Sequence, residues 1–263
     1  DGQELGGALS NDAGAQARLV TVRRLTALAF AGTTTGDAAF DALGLVARET
    51  GLTPAMAEDV IAGFALDVAD WQPRNETDLM RYCWHVAGAV GVMMAVVMGV
   101  SPQDEDTLDR ACDLGLAFQL ANIARDLRED DAAARCYVPA EWLVEEDIPP
   151  GEQMKPPHRA ALARVAARMQ DLAQAHEASA RIGAARLAFR QRWAVLAAAG
   201  IYGEIGREVV RRGTAAWDRR VAIDKQHKAL WIVRAGLRCL RPVRAGCHAA
   251  AALRRHTRSS LRG

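Results

Sequence analysis

The chain has 263 residues, half of them apolar, which is enough for one large domain or two small ones with a sizeable core. Only 5% are aromatic while Ala is abundant, a composition that suits helix better than sheet. Net charge is +1, and the five cysteines show no CxxC pairing or metal-type spacing with His. This excludes a disulfide framework and, with no signal peptide in view, implies a reducing, cytoplasmic compartment.

The chain opens on Asp1 with no initiator Met and no capped helix before it, as a fragment would. Helical spacing then runs over 15–31, 38–50 and 54–71. Asp37 is placed to cap the second of these and Thr53, followed by Pro54, to cap the third. A fourth helix is expected over 76–100 and a fifth over 107–130. "IPPGEQMKPP" reads as a connector too short to separate domains, and two or three long helices follow it. With strand signals nearly absent, the expectation is a single all-α bundle over 1–263.

The stretch Val86 to Val100 holds fifteen residues without a charge, short of the roughly twenty that a transmembrane helix needs. It reads as a central helix buried on all sides. Gly88 and Gly91 leave room beside its backbone, for a tight helix crossing or for a tunnel that takes an apolar chain; spacing alone favours the crossing.

The charge is unevenly placed. Residues 225–263 hold ten Lys and Arg and no acid, so the remainder is net negative. Leu230, Val233, Leu237 and Leu240 alternate with Arg234, Arg238 and Arg241 in amphipathic fashion. Such a tail can pack its apolar stripe on the body, the reading the pattern favours, or lie on an anionic membrane surface. Aromatic interleaving and nucleic-acid motifs are absent, which argues against a nucleic-acid partner.

"GLAFQLANIARDLREDD" (Gly115 to Asp131) poses a sharper question. At 100° per residue, Gln119, Asn122, Asp126 and Asp130 share an arc of about 80°, beside an apolar stripe of Leu116, Leu120, Ile123 and Leu127. A lone DxxxD pair is weak, and Arg125 with Glu129 fits a solvated i,i+4 ion pair. Two carboxylates and an amide oxygen, however, form a hard-oxygen set suited to Mg²⁺ that binds through substrate phosphates. Arg125 and Arg135 add guanidinium forks for phosphate oxygens.

"YCWHVAGAVG" (Tyr82 to Gly91) and "LGLAFQLANIARDLREDDAAARCYVP" (Leu114 to Pro139) resemble the two signature segments of the squalene/phytoene synthase family. "TLDRACDLG" and "RRVAIDK" add to the resemblance, which covers nearly the whole chain and leans to the bacterial phytoene-forming members. It implies an isoprenoid-synthase helical bundle around a central cavity, here lacking its first helices. It also implies that two geranylgeranyl diphosphates are joined head to head through prephytoene diphosphate to phytoene, in carotenoid biosynthesis. Mg²⁺ or Mn²⁺ would be required, and NADPH would not.

By the same resemblance, Asn122, Asp126 and Asp130 are metal ligands, Asp126 and Asp130 act in catalysis with Tyr82, and Gln119, Arg125 and Arg135 surround the diphosphates. Ala87, Val90, Gly91 and Phe118 line the isoprenoid tunnel, and Tyr202 and Arg220 lie near the active site. The family's first acidic segment, DDxxD, is represented only by Asp1, a further metal ligand, so the chain as it stands is expected to be nearly inactive. Ala121 stands where Thr is common, and Ala134 where Gly usually precedes the Arg. The alternatives are a squalene, dehydrosqualene or hydroxysqualene synthase using farnesyl diphosphate, and a non-catalytic membrane-associated helical subunit. Carotenoid-pathway enzymes are candidate partners, and a peripheral place on the inner face of the membrane is the companion expectation.

Overall fold

The computed structural model describes residues 12–240 and 258–262. Every regular element among them is helical: α1 (Asp12–Phe30), α2 (Ala38–Glu49), α3 (Pro54–Val68), α4 (Glu76–Cys83), a π turn (Trp84–Gly88), α5 (Ala89–Val97), α6 (Glu105–Ala132), α7 (Ala140–Glu145), α8 (Arg159–Ala184), α9 (Phe189–Arg212), α10 (Lys225–Cys239) and α11 (Arg258–Arg262), with single 3₁₀ turns before α8 and after α9.

The helix starts follow local chemistry. The Asp37 carboxylate accepts from the backbone N–H of Ala39, and the Thr53 hydroxyl accepts from Met56 with Pro54 at the first helical position. Asp104 caps α6 through the Thr107 N–H, which starts that helix two residues before its apolar pattern begins.

α6 is the axis of the bundle. Its stripe of Leu116, Leu120, Ile123 and Leu127 is fully buried, and α5, α8 and α9 pack around it. At the α5–α6 crossing a Cβ on Gly91 would collide with the Ala111 carbonyl, and one on Gly115 with the Ala87 carbonyl. These glycines therefore let two backbones touch, as the crossing reading expects. The π turn adds a residue to the helical path immediately before that crossing, a distortion that helices commonly carry at functional sites.

Two expectations are corrected. The stretch 86–100 is not buried on all sides: Val90, Met94 and Val97 are exposed. With α4 and the π turn it also forms a continuous helical run, Glu76–Val97, long and apolar enough by length and composition to cross a membrane. Half of that window is buried in the bundle, where Leu79, Met80, Cys83 and Trp84 are core residues, so its packing is that of a central helix.

The second correction concerns α10. It docks on α9 through Ala235, Cys239 and the Trp231 ring, which fills the space over Gly200, while the Trp193 indole donates to the Ile232 carbonyl at 2.7 Å. Leu230, Val233, Leu237 and Leu240 are instead exposed. The apolar stripe does not pack on the described body. Arg241 and its neighbours up to 257 lie outside the described residues, but α11 returns to the body, burying Leu261 and pairing Arg258 with Glu105 and Asp109.

Candidate functional site

A cavity of about 510 Å³ lies between α5, α6, α8 and α9. Its walls include seven residues singled out from the sequence: Ala87, Val90, Gly91, Phe118, Gln119, Asn122 and Tyr202. Phe118 and Tyr202 stack across the α6–α9 gap with ring centroids 4.2 Å apart. Small side chains at Ala180, Ala184, Ala194 and Ala198 keep the opposite wall open. The glycine seam and the cavity are thus two uses of one stretch: one face of the Gly91 turn makes the crossing while its neighbours make the tunnel.

The polar row continues from this cavity toward the C-terminal end of α6. Asp126 accepts from Arg125 Nε at 2.6 Å, with a second bond from Arg125 Nη2. Arg220 grips the same carboxylate through Nε at 2.9 Å and Nη2 at 3.0 Å. Burial alone would raise the Asp126 pKa, but the two guanidinium groups outweigh it and hold the carboxyl below its usual range. Arg125 therefore turns to Asp126, and not to Glu129 as its helical spacing suggested.

Arg220 reaches Asp126 because the segment after α9 is pinned to α6. The buried Trp217 indole donates to the Ala124 carbonyl at 2.9 Å, and Arg128 donates to the carbonyls of Trp217 and Asp218. One turn along, Asp130 is pushed up to about 7, chiefly by burial and then by the Asp126 charge, with Arg135 opposing. Asn122 Oδ1 is buried and has no hydrogen-bond partner.

Tyr82 does not line the cavity. Its hydroxyl donates to Asp67 Oδ1 at 2.9 Å, and the Tyr137 hydroxyl donates to the same oxygen at 3.0 Å. Trp71, Tyr82 and Tyr137 form a continuous stack. Burial, followed by the Asp67 charge, raises both phenols, Tyr137 to about 12. Burial also raises Asp67, against the two phenol hydrogen bonds. Arg135 shares a small pocket with Asp67 and Tyr137, and its backbone N–H closes α6 on the Asp130 carbonyl at 2.8 Å. The turn that delivers Arg135 places Ala134 at φ 56°, the left-handed region, which explains why glycine suits that position. Asp1 lies outside the described residues.

The squalene/phytoene synthase family matches residues 4–227. The chain belongs to this family. Among its relatives are the phytoene synthase of Pseudescherichia vulneris, 49% identical over 83% of this chain and 70% of its own length, and the 15-cis-phytoene synthase of Enterobacter agglomerans, 46% identical over 76% and 67%. The 15-cis-phytoene synthase of Pantoea ananas is 44% identical over 80% and 68%. The fold is shared with a dehydrosqualene synthase crystal structure at a TM-score of 0.79, with 23% identity over 89% of this chain and 82% of that one.

As in a squalene/phytoene synthase, the site joins an apolar tunnel to a cluster of acids and arginines suited to a prenyl diphosphate. Among the described residues no group of three or more His, Cys, Asp or Glu is arranged to hold a metal. The oxygen-bearing side chains of the acidic row are Asn122, Asp126 and Asp130. Hard oxygens, an unpartnered buried amide oxygen and a carboxylate crowded by its neighbour all fit a divalent cation. Reading the sequence missed Asp67, Tyr137 and Trp217. Asp67 precedes Tyr82 by fifteen residues across a loop, and Trp217 follows Ala124 by ninety-three, so no helical spacing links either pair.

Proposed function

We propose that the chain is a phytoene synthase that couples two geranylgeranyl diphosphates head to head without a reductant. The observation that carries this reading is the continuity of the cavity with the acidic row. The lining on α6 runs from Thr107 to Asn122, about 22 Å of helix at 1.5 Å per residue. A geranylgeranyl chain extends roughly 19 Å at about 1.25 Å per bond, and a farnesyl chain about 14 Å, so this lined length accommodates the longer substrate.

Asn122, Asp126 and Asp130 would hold Mg²⁺ or Mn²⁺, which supplies positive charge to the departing diphosphate. Arg125, Arg220 and Arg135 add guanidinium groups for its oxygens, with Gln119 beside them at the tunnel mouth. The leaving group takes its bonding pair, and the double bond of the second molecule attacks the allylic cation. Ala87, Val90, Gly91, Phe118 and Tyr202 exclude the water that would quench that cation. Loss of a proton closes the cyclopropane of prephytoene diphosphate, and the second ionisation, rearrangement and second proton loss proceed in the same enclosure.

The test uses protein with a complete DDxxD segment restored upstream of Asp1: incubation with geranylgeranyl diphosphate and Mg²⁺, without NADPH, and identification of the extracted hydrocarbon. A C40 phytoene peak is expected. Conversion of farnesyl diphosphate alone would move the chain to the squalene side, and inertness toward both would favour a non-catalytic helical subunit. The outward apolar stripe of α10, set among Arg234 and Arg238, supports a cytoplasmic protein resting on the inner face of a membrane. Sedimentation with anionic vesicles tests that placement.

A further inference from the structure

Asp67 stands near the end of α3 and is the shared acceptor for two phenols that come from distant parts of the chain, Tyr82 on α4 and Tyr137 in the segment after α6. Each phenol has one proton to give. Both hydroxyls are directed at Asp67 Oδ1 and also lie within hydrogen-bond reach of each other, so the three groups close into one cluster. The rings cannot rotate out of this arrangement freely, because Tyr82 is stacked between Trp71 and Tyr137, with centroids 5.9 and 4.7 Å away. The cluster adjoins the acidic end of the site: Arg135 lines the same small pocket as Asp67 and Tyr137, and the turn that carries Arg135 begins at Asp130.

The chemistry of the site gives that orientation a purpose. Groups that hold a departing diphosphate act well only when they are fixed in place, and the Asp67 cluster adjoins Arg135 and the turn from Asp130. We propose that Asp67 is a positioning residue for the prenyl-transfer reaction, locking Tyr82 and Tyr137 into the wall behind Arg135 and Asp130 by accepting a hydrogen bond from each. The proposal rests on the prenyl-transfer reading given above. Asp67 acts through the phenols and does not itself touch substrate.

In protein carrying the restored first acidic segment, the experiment compares wild type with Asp67→Ala, Asp67→Asn and Tyr137→Phe. Steady-state kinetics use geranylgeranyl diphosphate and Mg²⁺, and thermal unfolding is followed by circular dichroism. Asp67→Ala is expected to lower kcat roughly 30- to 100-fold with KM within about 3-fold. Asp67→Asn, which keeps an accepting oxygen without the charge, should fall between it and wild type. Unchanged kcat, or a loss confined to KM, or a loss that follows only the fall in Tm, overturns the proposal.

A second readout does not need turnover. The chain has three tyrosines, so ultraviolet titration in a Tyr202→Phe background reports the pair alone. Asp67→Ala should bring their ionisation down toward the ordinary tyrosine range, and an unmoved titration overturns the shared-acceptor geometry. A wild-type chain inert toward prenyl diphosphates, with a titration that does move, would refute the prenyl-transfer reading while leaving the Asp67 hydrogen bonds standing. Normal wild-type turnover with a silent Asp67→Ala variant would refute the positioning role alone.

Discussion

Asp126 and Asp130 stand one turn apart on α6, yet the region around the first is a clamp of arginines and the region around the second is a buried aromatic wall. Arg125 and Arg220 occupy both oxygens of Asp126 and keep it ionised. Asp130 faces the side where Asp67, Tyr82 and Tyr137 are packed, with Arg135 as its counter-charge, and it is held near neutrality at about 7. The difference separates two tasks. On the proposed function, the clamp would store guanidinium groups that an arriving diphosphate can re-partner, while the wall would leave a carboxylate under-compensated and receptive to a cation.

The largest effect should come from breaking the clamp at its centre. Asp126→Asn is expected to lower turnover by roughly 100- to 1000-fold while circular dichroism shows unchanged helix content. Wild-type-like activity in that variant would remove Asp126 from the site. Asp130→Asn probes the other side through stability. Because the folded pKa lies above the unfolded value of 3.8, the folded state binds the proton more tightly. That contribution is fully present below pH 3.8 and is lost as pH rises through about 7. The metal-free variant should thus match wild type near pH 4 and exceed it at pH 8 by about 2 kcal/mol, as read from urea midpoints.

Arg220→Ala opens the clamp from the loop side. It should raise KM for the prenyl diphosphate about 10-fold and shift the Asp126 pKa upward, which titration followed by carboxylate NMR would read. Smallest is Ala134→Gly, in the turn that leads to Arg135. Relieving a left-handed alanine should stabilise the chain by about 0.5 to 1 kcal/mol, visible as a rise of a few degrees in Tm. A decrease would mean that the Ala134 side chain packs more usefully than its backbone angle costs.

What was legible in the sequence was whatever repeats at 3.6 residues. The row of Gln119, Asn122, Asp126 and Asp130 and the buried stripe beside it are products of one helix, and their spacing displays them directly. The resemblance to known synthases supplied the tunnel residues, and the cavity contains them. Pairings between helices left no such trace. Arg220 meets Asp126 across 94 positions and Tyr137 meets Asp67 across 70, through loops whose path depends on Trp217 and on the left-handed turn at Ala134. Arg125 misled for the opposite reason: its i,i+4 partner was local and plausible, but a buried carboxylate next door is a better one. The exposed stripe of α10 shows a further limit, since amphipathic spacing says that a helix has two faces and not which of them touches the body.

The contact between Gly91 and Ala111, and between Gly115 and Ala87, has a consequence for how this protein can change. Where main chain meets main chain there is no side chain left to trim, and any larger residue forces the helices apart. At those two contacts the wall of the tunnel is closed to variation. The facing wall, with Ala194, Ala198 and Tyr202 on α9, is made of side chains and can be resized one residue at a time. A mutant library meant to alter the length of isoprenoid accepted should therefore be built on α9 and on cavity side chains such as Val90, Met94 and Phe118, with Gly91 and Gly115 left untouched as the fixed jaw of the gauge.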